Sequence, residues 1–348
     1  MMTIRRLWTR AKAALAWRGE RGISLPELTV TLALMSVVGL LFYDLYIGTV
    51  RTTMFLESNN DLAVFGQQAI NSIKLETMQS RGVMQNDAYG NSYVAKLGIP
   101  SAVAAISETR LPTANANGIF EPDEGSEVFT GNSILQAKQV DAFLANVDHD
   151  GTSGTANIDY LADRYRFQYF YLAEKGDHPI HPLDHRLELM HFESEEYADW
   201  FQLNSLPATF RTAVVGALYD EGLRFAWNPG AVATSAFYQI NDNGSLTGPV
   251  THTIAASAIE PVMPGMGQGR ISGAMNYSVG ITADPPFQTI DPVSVFGIAS
   301  GSFPSGFEVQ MIGPTGARKI NIRLMLMAQY QKRLNSHANS VTVTVAEF

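Results

Sequence analysis

The sequence predicts an α+β protein: a long N-terminal α-helix, with a membrane half and an amphipathic half, packed on an antiparallel β-rich globular head. Three observations predict it. Leu28 to Tyr43 is an uncharged run of 16 residues. Apolar residues then recur at helical spacing to about residue 80. After Gly82 the period falls to two and turn residues become frequent. The 348 residues are 46% hydrophobic and 16% charged, too apolar for a disordered chain and too lightly charged for a coiled-coil rod. A mean hydropathy of −0.01 excludes many membrane passes and leaves room for one. Cysteine is absent, which excludes disulfides, thiolate metal sites and a cysteine nucleophile.

The first 22 residues form a basic leader. Arg5, Arg6, Arg10, Lys12, Arg18 and Arg21 stand against Glu20, a net of +5 within a chain of −9, so the remainder carries −14. Such an acidic body is a poor match for nucleic acid. The apolar run follows, and with Leu45, Tyr46 and Ile47 it gives a spanning segment over about 25–47, near one bilayer thickness of helix. Positive charge on its N-terminal side places that end in the cytoplasm and the remainder outside it. A cleavable signal fits badly, because Phe42-Tyr43-Asp44-Leu45-Tyr46 is bulky where a small-x-small site belongs. A plain signal anchor explains the hydropathy but gives no reason for Glu27, a carboxylate at the edge of the bilayer that calls for a named partner.

The stretch Arg21-Gly22-Ile23-Ser24-Leu25-Pro26-Glu27-Leu28 resembles the processing site of type IV prepilins and type II secretion pseudopilins. The resemblance implies that a prepilin peptidase cuts between Gly22 and Ile23, that Ile23 becomes the N-methylated N-terminus, and that Glu27 is the assembly carboxylate. In that family the glutamate meets the N-terminal amine of a neighbouring subunit, and mutual neutralisation lets both enter an apolar assembly. Ile23 stands where phenylalanine or methionine is commoner, and the leader is longer than that of major pilins, which points to minor pilins or pseudopilins. Pro26 is compatible with a first helical turn.

The helix is expected over 23–80, about 85–90 Å long at 1.5 Å per residue. Phe55, Leu62, Phe65, Ala69 and Ile73 mark one face, and Arg51, Glu57, Asp61, Lys74 and Glu76 mark the polar side. Gly39, Gly48 and Gly66 are expected weak points, with two helices broken near Gly48 as the alternative. Residues 81–348 read as the head. Its clearest strands are Ile158–Ala173, Arg186–Phe192, Ile320–Leu326 and Val341–Val345. Glu174-Lys175-Gly176-Asp177 and Asn241-Asp242-Asn243-Gly244 read as turns. A long Gly/Pro-rich surface excursion with short strands is expected over about 261–316. The run Asp150-Gly151-Thr152-Ser153-Gly154, leading into a strand with Arg164-Tyr165, is similar to the head of PilW-type minor pilins, as is the closing strand pair.

Other chemistry weighs less. His178, His181, His185 and His191, with Asp184, gather within 14 residues, but two of them precede prolines and none has the i, i+4 spacing of a helical zinc site, so solvated loop histidines are expected. Asp148, Asp150 and Asp159, with Thr152 and Gly154, offer oxygen ligands at a calcium-loop-like spacing. Ser153 stands where an EF-hand has glycine, and an acidic turn accounts for the same residues. Calcium is therefore the one cofactor left open. No Gly-x-Ser-x-Gly elbow surrounds a serine, Gly265-Met266-Gly267-Gln268-Gly269 lacks dinucleotide-loop spacing, and the Tyr165, Tyr169 and Tyr171 stripe reads as core, so no enzyme is expected. The resemblance implies a minor pilin-like subunit of the inner membrane and then the pilus, partnered by other pilins, the peptidase, the inner-membrane assembly platform and lipid. The alternatives are a type II secretion pseudopilin and a signal-anchored periplasmic binding or enzymatic domain.

Overall fold

The computed structural model describes residues 24–100, 110–115, 130–148, 157–177, 185–262, 275–276, 307–314, 316–330 and 333–345. The chain divides into two compact units, Met1–Glu57 and Ser58–Phe348. One helix, α1 (Leu25–Met78), runs for 54 residues without interruption, about 80 Å at 1.5 Å per residue. Gly39, Gly48 and Gly66 do not break it, and the two-helix alternative is set aside.

In the first unit the apolar side chains of α1 are exposed; Leu34, Met35, Leu40 and Phe42 show between 61% and 68% of their surface. Among the described residues α1 is the one helix long and apolar enough to cross a membrane. In the second unit the helix is amphipathic. Leu62, Gly66, Ala69, Ile70, Ile73 and Thr77 form a buried stripe at steps of three and four, with Phe65 packed beside it. Burying each of the large aliphatic residues contributes about 1.5–3 kcal/mol.

Among the described residues fourteen strands make two sheets: β1 (Ser80–Val83), β2 (Ala114–Asn115), β3 (Thr130–Gly131), β4 (Ile134–Asp148), β5 (Asn157–Asp177), β6 (His185–Asp199), β7 (Phe225–Trp227), β8 (Phe237–Ile240), β9 (Leu246–Thr247), β10 (Ala256–Pro261), β11 (Met275–Asn276), β12 (Phe307–Ile312), β13 (Arg318–Tyr330) and β14 (Arg333–Val345). The first sheet has the order β1-β4-β5-β6-β7-β8-β9, and β10 and β11 also pair with β6. The second has the order β14-β13-β12-β2, with β3 also on β12. Pairing is antiparallel except for β6 with β7 and β12 with β2. One core gathers α1, the second sheet and one face of the first, including Leu62, Ile73, Phe170, Leu189, Ile322 and Val343. On the other face Tyr165, Phe167, Tyr169 and Tyr171 are buried with Tyr93, Trp227 and Phe237.

The four expected strands lie inside longer ones. On β13 the alternation of Ile320, Ile322, Leu324 and Leu326 points every one of these side chains into the core. The Asn241–Gly244 turn joins β8 to β9, with Gly244 at φ +72° donating its N–H to the Asn241 carbonyl at 3.1 Å. Two expectations are corrected. Glu174–Asp177 does not turn; it continues β5, pairing with Leu187 and His185 across a register shift that absorbs the irregular residues. Within 261–316 the short strand β12 is buried at all six positions instead of lying on the surface, because Phe307, Val309 and Met311 alternate toward the core shared with β13. Three short helices were also not anticipated: α2 (Ala88–Val94), α3 (Trp200–Asn204) and α4 (Ala208–Asp220). On α4, Phe210, Val214, Val215 and Leu218 are buried at helical spacing.

Gly66 is a packing site. A Cβ there would collide with the Asn339 side chain of β14 and lie 3.4 Å from Leu326 Cδ1, whereas a Cβ on Gly48 meets nothing within 4 Å. Gly66→Leu is expected to destabilise the head by about 1–3 kcal/mol through overpacking. Gly48→Ala should leave the thermal midpoint unchanged or slightly higher, since alanine favours helix by about 0.5–1 kcal/mol. Thermal unfolding of the two variants side by side checks both.

Candidate functional site

The candidate site begins where α1 begins. Ser24 is its N-cap residue, and Glu27 sits three positions on. The Ser24 N–H donates to Glu27 Oε2 at 3.0 Å, the Ser24 hydroxyl donates to the same oxygen at 2.9 Å, and the Glu27 N–H reaches Ser24 Oγ at 3.4 Å. This is a reciprocal capping box. Leu28 N–H closes the first turn onto the Ser24 carbonyl at 3.0 Å. Pro26 lies in that turn, where a backbone N–H has no helical acceptor.

The hydroxyls that follow are satisfied within the helix. Thr29 donates to the Pro26 carbonyl at 2.8 Å, Thr31 to Glu27 at 2.7 Å and Ser36 to Leu32 at 2.8 Å. These bonds remove most of the cost that bare hydroxyls would meet in hydrocarbon. From Leu25 to Tyr43 the group left with a net charge is the Glu27 carboxylate, and no cation pairs with it among the described residues. The capping box aligns two donors on that carboxylate without cancelling its charge. The Ser-x-x-Glu spacing signals this cap in the sequence, and it supplies a local reason for Glu27 that holds whatever surrounds the helix. Gly22 and Ile23 lie outside the described residues.

In the head, Asp148 ends β4, Asp150 lies outside the described residues, and Asp159 lies within β5. Asn146 Nδ2 donates to Asp159 Oδ1 at 2.6 Å, and Asn157 Nδ2 donates to Asn146 Oδ1 at 2.8 Å. Asp159 is thus held in a cross-strand ladder opposite Asn146, two pairs inside the last described pair of the hairpin, Asp148 with Asn157. His178, His181 and Asp184 lie outside the described residues, as do Thr152, Gly154 and the 265–269 glycines; His185 opens β6. Among the described residues no group of three or more His, Asp or Glu side chains gathers as metal ligands.

His191 faces the core, where its ring stacks on Phe170 at 4.5 Å and 7°. Next to it the sheet face turns from apolar to charged. Glu76, expected on the solvent side of α1, turns inward to accept from Lys138 at 2.5 Å and from Gln168 Nε2 at 2.8 Å. Arg166 bridges Glu193 and Glu196 at 2.5 Å each, and Arg164 reaches Glu196 at 2.6 Å. Glu76 thus joins the last turn of α1 to β4 and β5, and the two arginines join β5 to β6. No sequence signal pairs Glu76 with Lys138, since 62 residues separate them.

Burial holds the His191 imidazole below its ordinary value, opposed by Glu193, Glu76 and Glu260 and assisted by Lys138. Burial alone would raise the Glu76 carboxyl, but the hydrogen bonds from Lys138 and Gln168 bring it below the ordinary 4.5. Both shifts make acid destabilising. The unfolded histidine binds a proton near 6.5 while the folded one resists it, so stability falls as pH drops through and below 6.5. The Glu76 contribution is present above 4.5 and is lost as pH falls through its lowered folded value. Thermal midpoints followed from pH 8 to pH 3 should show His191→Phe flattening the upper limb and Glu76→Gln flattening only the lower one. Compared with known protein families, with curated proteins and with solved structures, the chain matches none.

Proposed function

We propose that this protein is a minor pilin-like subunit of a type IV pilus. A prepilin peptidase removes residues 1–22, Ile23 becomes the N-methylated terminus, and the α1 helix inserts first into the inner membrane with the head in the periplasm. The helix then enters a filament of other pilins, and the head primes assembly or lies near the tip. The protein acts by association, without turnover. One observation carries this reading: from Leu25 to Phe42 the exposed apolar helix holds one charged group, the Glu27 carboxylate, with no cation beside it among the described residues, while the Thr29, Thr31 and Ser36 hydroxyls are satisfied by helix carbonyls. Immersed in hydrocarbon or in a bundle of apolar helices, that charge is costly until a cation meets it. The methylated amine at Ile23 of a neighbouring subunit is a cation of the right size and depth.

The capping box favours a second reading, in which Glu27 only starts the helix and α1 is a plain tether for a periplasmic domain. The two readings separate on charge. Glutamine at the third helical position still caps, so Glu27→Gln keeps the box and removes the charge. The pilin reading predicts that Glu27→Gln and Glu27→Leu both fall to about a tenth or less of normal incorporation into sheared filaments, the loss expected when an ion pair worth more than 1.4 kcal/mol goes. The tether reading predicts that Glu27→Gln behaves as wild type. Quantifying the protein in filament and membrane fractions distinguishes them.

A further inference from the structure

We propose that the cleft beside Tyr165 binds a small, uncharged aromatic ring, a function of the head separate from anything the N-terminal helix does. The cleft encloses about 430 Å³, within the range of small-ligand sites. It lies over the first sheet at its β1 end. Gly82, Ala137, Tyr165 and Trp227 line it from the sheet, Tyr89 from α2 and Phe201 from α3.

The aromatic walls are set before a ligand arrives. Phe201 shows 51% of its surface, yet its ring is braced edge-on by Trp200 at 5.2 Å. Its other side rests against Gly230, where an added Cβ would stand 3.2 Å from Phe201 Cζ. The Trp227 indole donates to Tyr93 Oη at 2.9 Å, and Tyr89 Oη donates to the Pro229 carbonyl at 2.7 Å. Rings fixed in this way lose little freedom on binding, which lowers its entropic cost. Edge-to-face and offset contacts with a guest ring then add to simple burial.

Charge complementarity selects among guests. Arg81, Arg318, Asp87 and Asp199 are all among its lining residues, two charged groups of each sign. Asp199 accepts the Gln202 N–H at 3.0 Å and the Tyr165 hydroxyl at 3.2 Å. Asp87 accepts the Gly90 N–H at 2.8 Å and Gln85 Nε2 at 2.5 Å. Arg81 donates to the Tyr165 hydroxyl, with its guanidinium 5.2 Å from the centre of that ring. An ionic guest would unbalance this set in a partly dry space. A polyol would bring more hydroxyls than these engaged groups can serve. A neutral ring with one polar substituent loses least.

The test uses the full chain labelled with 5-fluorotryptophan and held in amphipol, with the Trp227 resonance assigned through Trp227→Phe. Titration with 4-methylphenol should move that resonance saturably, with a dissociation constant on the order of 1 mM for so small a ligand. Benzoate, benzylammonium and methyl glucoside should each bind at least about tenfold more weakly. Ala137→Phe should abolish the saturable shift by filling the cleft. Phe201→Ala, at an exposed position that leaves the fold intact, should weaken binding about fivefold. A shift that grows without saturating, one that both variants leave unchanged, or tighter binding by a charged probe or the glucoside would overturn the proposal.

Discussion

What becomes of one carboxylate at the start of a long apolar helix governs the rest of this protein. Glu27 receives two hydrogen bonds from Ser24, and these orient it and begin the helix. Hydrogen bonds from neutral donors do not discharge an ion, so the cost of taking Glu27 out of water remains until a cation arrives. The threonine and serine hydroxyls beyond it are already spent on helix carbonyls. From Leu25 to Tyr43 the helix therefore presents one carboxylate with no cation beside it among the described residues, on an otherwise apolar surface.

The same 54-residue helix has an exposed apolar first part and a last third that belongs to the compact unit beginning at Ser58. There Leu62, Ala69, Ile70 and Ile73 complete a core shared by two sheets, and Glu76 is tied to Lys138 and Gln168. Gly66 serves this packing by letting β14 approach the helix. Removing residues 58–78 would open that core.

Much of this architecture was legible from periodicity. The helix, the buried alternation on β13 and the aromatic core stripe on β5 follow from spacing alone, because each is amphipathic with its own period. The failures have physical causes. Glu174-Lys175-Gly176-Asp177 has the composition of a turn, but pairing with β6 keeps it extended. β12 was hidden among glycines and prolines even though Phe307, Val309 and Met311 alternate. Two short helices start from Asp87 and Asp199 caps, too brief to register a period. At the N-terminus the Ser24–Glu27 box was readable from its spacing, whereas the Glu76–Lys138 pair and the cleft beside Tyr165 exist only once distant segments come together.

The account stands most directly on the state of the chain's own N-terminus. Intact-mass and N-terminal peptide analysis of the protein from cells with and without prepilin peptidase addresses it. A chain beginning at methylated Ile23 is expected when the peptidase is present, and the full-length form when it is absent. A chain that keeps residues 1–22 in both cells would contradict it, and would leave α1 as a tether capped by Ser24 and Glu27.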